Sequence, residues 1–146
     1  MKNKYLSNVE VEAMFGLWLI SALMIVRGST LLFVSETSIE RSSMYSIMND
    51  ILPLQIWALF FIIGGVIILS SSVSQSMRKY YGLIIGSVLG AVIGFPFAFI
   101  SFAESHMTIT HFIVTLVAFY NLVWILHGGV TIWKEKRKIR TLQKSK

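Results

Sequence analysis

GLIIGSVLGAVIGFPFAFISFA, residues 82–103, is the stretch on which the reading of this chain turns. Glycines stand at 82, 86, 90 and 94, and Ala98 continues the row. A four-residue step keeps these five small residues on one slowly turning face of a helix. No bulky side chain in the row holds a neighbour away, so a second helix backbone can come close. In a bilayer, helices gain little by leaving apolar lipid, and close packing of small residues is a main driver of their association. Three consecutive GxxxG steps in an apolar span therefore predict a helix-packing face made of Gly82, Gly86, Gly90, Gly94 and Ala98. The row does not say whether the partner helix lies in the same chain or in a copy of it.

The rest of the composition places that stretch in a membrane. Hydrophobic residues make up 55% of the chain and charged residues 14%, and the mean hydropathy is +0.70. These values exclude an ordinary soluble domain and a disordered chain. Three runs carry no Asp, Glu, Lys or Arg: Ile51 to Met77, Tyr80 to Ala103 and Ser105 to Trp133. Each exceeds the roughly 20 apolar residues that cross about 30 Å of hydrocarbon. A fourth run, Ala13 to Val34, is as long and carries one charge, Arg27. The expectation is an all-α integral membrane protein with four transmembrane helices in an antiparallel bundle, at about 13–34, 51–71, 80–103 and 110–133. Residues 1–12 then form a polar N-terminal tail, 13–133 the membrane domain and 134–146 a basic C-terminal tail.

Lysine and arginine set the orientation. The N-terminal tail holds two, the connector after the second span two, and the C-terminal tail seven. The connector at 35–50 holds one (Arg41) and that at 104–110 none. The positive-inside bias predicts both termini in the cytoplasm, with a bacterial cytoplasmic membrane as the expected location. Lys134, Lys136, Arg137, Lys138 and Arg140 are expected to touch anionic lipid. A thirteen-residue tail without a recognisable fold or aromatic platform does not point to nucleic acid.

Polar residues inside the spans are the candidate site residues. Arg27 lies about two thirds of the way along the first span, where a cation is costly unless it snorkels, pairs or serves a function. With the predicted topology it falls toward the outer face, as do Glu104, His106 and His111. An Arg27–Glu104 pair is the expected partnership, ahead of Arg27 with Glu36. Asn121, near the middle of the fourth span, predicts an interhelical hydrogen bond. Pro96 predicts a kink that serves either as a hinge or as a static bend. His127 reads as a packing or interfacial histidine, and Trp57 as part of an interfacial belt. The acidic connector 35–50 reads either as an amphipathic surface helix with Met44, Ile47 and Met48 toward lipid, or as a plain loop.

Glu104, His106 and His111 have the composition of a metal set but match no defined ligand spacing, so no metal site is expected. The chain has no cysteine, which excludes thiolate chemistry and disulfides. No nucleophile motif, phosphate loop or paired intramembrane carboxylates occur, so neither an enzyme nor a cofactor is expected.

The plan of short length, four spans, cytoplasmic termini and a lysine-rich end resembles that of many unrelated small bacterial and phage membrane proteins, including some lysis pores. That resemblance rests on the general plan and on no diagnostic motif. Two functions follow as expectations. The first is a homo-oligomeric assembly forming a channel-like or holin-like pore or ion pathway. In it the glycine row would join protomers, and Arg27, Asn121, Glu104, His106 and His111 would line or guard the path. The second is a non-conducting membrane accessory, immunity or exclusion protein that binds another membrane protein.

Overall fold

The structure is a computed structural model that describes residues 8–74, 77–103 and 109–144. Among these residues there is helix and no strand. The order is α1 (Asn8–Leu32), α2 (Glu36–Arg41), α3 (Ser43–Ile51), α4 (Leu54–Val73), α5 (Arg78–Ala103) and α6 (Ile109–Lys144). Four of them, α1, α4, α5 and α6, are long and apolar enough to cross a membrane. In hydrocarbon every backbone polar group needs an internal partner, and a helix supplies one for each interior residue. That is why apolar runs of this length fold as unbroken helices.

Neighbours in sequence pack as neighbours in space: α1 lies along α4, α4 along α5, and α5 along α6. Between α1 and α6 there is little contact. Small residues set the close approaches. A Cβ added at Gly86 would stand 2.7 Å from Ile68 Cγ1 and 2.9 Å from the Gly64 carbonyl oxygen. On its other side α4 offers Gly65, where an added Cβ would meet the Ser21 carbonyl oxygen at 2.9 Å. The Gly64-Gly65 pair thus seats α4 against α5 with one glycine and against α1 with the next.

Lipid-compatible side chains cover the outside. Phe15, Leu19, Val66, Ile85, Val92, Phe99 and Leu126 are exposed, whereas Met24, Phe61, Ile68, Phe97 and Ala118 are buried. An apolar exterior around an apolar core is what a bilayer allows and water does not. α5 runs through Pro96 without a break and ends at Ala103.

The connector between α1 and α4 corrects one expectation. It forms two short helices, each started by a serine whose hydroxyl accepts a backbone N–H: Ser35 from Ser38, and Ser42 from Tyr45. Met44 and Met48, one turn apart on α3, turn into the core rather than toward lipid. Trp57 is likewise core rather than belt. It is buried, and its indole N–H is shared between the Met48 carbonyl at 3.1 Å and the Leu52 carbonyl at 2.8 Å. The α3 cap is thereby fastened to the first turns of α4.

α6 has 36 residues, ~54 Å at 1.5 Å per residue, well beyond the hydrocarbon thickness of about 30 Å. Its last turns extend past the apolar helices with Lys134, Lys136, Arg137, Lys138 and Arg140 all exposed. The Arg137 guanidinium lies 5.4 Å from the centre of the Trp133 ring, a cation–π contact where the apolar and basic parts of the helix meet.

Candidate functional site

The sparse contact between α1 and α6 leaves a groove. Its connector-side part is a cavity of about 320 Å³ that includes Arg27, Thr30, Leu23 and Phe61 among its walls. The adjoining part is a cavity of about 260 Å³ lined by Gly16, Leu19, Leu116 and Tyr120. Leu23, Ile113 and Val117 line both, so the two form one furrow. Met24, Phe61, Val114 and Val117 make a buried floor, while Leu19, Val26, Ile113 and Leu116 on the rim are exposed. Among the described residues that line it, all but Arg27 are uncharged.

Local sequence accounts for the gap. Positions 16, 20, 23, 24, 27 and 30 recur at three- and four-residue steps and face one side of α1. Positions 113, 116, 117 and 120 do the same on α6. Long side chains rather than backbones bridge the two helices. The Tyr120 hydroxyl stands where a Cβ on Gly16 would be, and the Asn121 amide reaches the Met24 sulfur at 3.7 Å.

Arg27 is partly buried. Its guanidinium carbon lies 4.6 Å from the centre of the Phe97 ring, and Nη2 donates to the Tyr45 hydroxyl at 3.4 Å, a long bond. Nε is buried with no hydrogen-bond partner. The expected partner Glu104, together with His106, lies outside the described residues. Phe97 and Tyr45 were not legible as neighbours of Arg27, since they come from α5 and α3 and share no sequence pattern with it. Tyr45 shares α3 with the buried Met44 and Met48, and that helix carries it over the end of α1.

The other candidates divide between neighbours. An added Cβ on Gly82 would collide with the Ser71 side chain, and one on Gly86 with Ile68, both on α4. Gly90 faces Asn121 and Met24, and Gly94 faces Ala118 at 2.8 Å. Ala98, one step further, is buried. The row is therefore covered by α4 at one end and α6 at the other, all within one chain. Asn121 is fully buried. Its Nδ2 has only the Met24 sulfur, and its Oδ1 has no partner. Ser87 Oγ and Trp124 Nε1 are also buried without partners. His111 stacks at a tilt 5.9 Å from Phe97, and the His127 ring meets Trp124 edge-on at 5.2 Å.

A third cavity, of about 170 Å³, lies at the end where α4 turns into α5, between Met14, Ser72, Lys79, Trp124 and His127. Above it Trp18 Nε1 donates to Ser72 Oγ at 2.9 Å, tying α1 to α4. Among the described residues no group of three His, Cys, Asp or Glu side chains stands close enough to hold a metal ion.

Compared with known proteins, the chain matches no family model, no curated protein and no solved structure.

Proposed function

We propose that this chain is a non-conducting, non-catalytic membrane protein that works by binding in the plane of the bilayer. In this reading the four long helices form an antiparallel bundle, with both termini in the cytoplasm and the α2–α3 cap outside. The recognition face is the open side between α1 and α6. One observation carries the proposal: the glycine row of α5 is covered by α4 and α6 of the same chain, which leaves the α1–α6 side as the unfilled face. In this reading the glycines offer no open face for self-association. A side chain as costly in hydrocarbon as arginine, held at the mouth of the furrow with a donor unused, fits recognition of a ligand.

A homo-oligomeric pore is the second reading, favoured by the buried unpartnered Ser87 Oγ and Asn121 Oδ1. Assembly would then use the α1–α6 side and not the glycines. The two readings separate on purified protein in nanodiscs and proteoliposomes. The expected result is a monomer mass and ion flux no greater than that of empty vesicles. A discrete oligomer with flux that falls on Asn121→Leu overturns the proposal in favour of a pore.

Topology is tested in whole cells with a membrane-impermeant maleimide. Because the natural chain has no cysteine, single Thr37→Cys and Gln143→Cys variants report cleanly on sidedness. The impermeant maleimide should reach position 37 in intact cells and position 143 only after permeabilisation.

A further inference from the structure

We propose that the α1–α6 furrow holds one anionic phospholipid, with its phosphate on Arg27 and one acyl chain lying along the helices toward Gly16 and Tyr120. The inference rests on the reading of that side as the recognition face and names what occupies it.

Three observations converge on this occupant. The furrow runs from Thr30 to Gly16 on α1, fourteen residues or ~21 Å of helix, enough to span one leaflet of a core about 30 Å thick. Its walls are uncharged except at one end, which is the polarity of an acyl chain below a headgroup. At that end stands Arg27, whose guanidinium presents five N–H donors in a planar fork suited to two phosphate oxygens. Of these, Nη2 makes a single long bond to Tyr45 and Nε has no partner. Phe97 supports the cation from beneath through its ring face and leaves the in-plane N–H groups for an anion. An anionic occupant fits best because, among the described residues, the cation is the sole charge lining the furrow, so the ammonium of a zwitterionic head meets no acid among them.

An occupant that enters from the side also suits the rim. Leu19, Val26, Ile113 and Leu116 are exposed, so the furrow opens laterally toward the bilayer along its whole length. A lipid diffusing in the membrane can slide in chain-first without crossing a polar barrier.

The test is native mass spectrometry of the whole protein, released from detergent micelles with either phosphatidylglycerol or phosphatidylcholine added. The expected result is a one-to-one phosphatidylglycerol adduct at least tenfold more populated than the phosphatidylcholine adduct. Arg27→Gln should erase that preference. Leu116→Trp, which fills the furrow from an exposed position, should reduce adducts of both lipids several-fold while circular dichroism stays unchanged. If Arg27→Gln fails to fold, Leu116→Trp decides. Replacing Lys136, Arg137 and Lys138 together by Gln should leave the adduct in place. Equal binding of the two lipids overturns the inference, as does an adduct lost with the basic tail but kept in Arg27→Gln. A doubled mass without lipid means a second copy covers the furrow and overturns it as well. Absence of a preference in a non-conducting monomer sinks the lipid while leaving the binding-protein reading intact; flux through an oligomer sinks that reading instead.

Discussion

Gly86 offers the sharpest test of how the helices pack. An added methyl there would meet Ile68 Cγ1 at 2.7 Å, the Gly64 carbonyl oxygen at 2.9 Å and the Ile68 backbone nitrogen at 3.1 Å. Two of these three atoms are backbone, so relief requires α4 to move away from α5 rather than one side chain to turn. Overpacking of this kind costs about 1–3 kcal/mol. Against it stands the gain of up to ~1 kcal/mol from replacing glycine by alanine within a helix. The net expectation for Gly86→Ala is a loss of up to about 2 kcal/mol. Gly90→Ala should cost less, because its nearest atoms are the movable ends of Asn121 and Met24. Gly129 has nothing within 4 Å of an added Cβ, so Gly129→Ala should be neutral or stabilising by up to ~1 kcal/mol. Reversible unfolding in mixed micelles, followed by helical circular dichroism, ranks the three. If Gly86→Ala proves as stable as Gly129→Ala, α4 and α5 do not meet at Gly86 and the packing argument fails. A loss of stability that varies with protein concentration would move the glycine row to an interface between copies.

Other substitutions probe the cap and the buried polar groups. Trp57→Phe removes the indole donor that bonds the Met48 and Leu52 carbonyls and should cost about 0.5–1.5 kcal/mol. Limited proteolysis of the 35–50 connector should speed up in parallel, and an unchanged rate would mean that α3 is not held by this bond. Asn121→Leu replaces an amide whose Oδ1 lacks a partner by an apolar group branched at the same carbon. Unfolding measurements should find it neutral or stabilising, and a loss above about 2 kcal/mol would reveal a polar partner for Asn121, such as internal water. Trp18→Phe should weaken the link between α1 and α4 by about 1 kcal/mol, since Ser72 Oγ loses its donor. A matching loss in Ser72→Ala, with no further loss in the double variant, would attribute the effect to that single bond.

The amino-acid sequence alone determined the four long helices. Four apolar runs long enough to cross hydrocarbon, separated by polar connectors, leave a chain no choice but helices, because lipid offers its backbone no other partners. That residues at a four-residue step share one face of a helix was equally legible, since it depends on helix geometry alone. What the sequence left open was decided by which helices lie side by side. The glycine row is one face in sequence, yet α4 covers its first half and α6 its second, because a face that turns slowly around α5 meets a different neighbour at each end. Arg27 had a visible charge and an expected partner in Glu104, which lies outside the described residues. Phe97 and Tyr45 reach it from separate helices, a proximity that no spacing encodes. Met44 and Met48 showed their amphipathic step but not its direction, because lipid and protein core are both apolar and only the tertiary packing tells them apart. The furrow is wholly a product of that packing: α1 and α6, the first and last spans, are joined by no short connector, and the long side chains of Tyr120 and Asn121 reach across it to Gly16 and Met24.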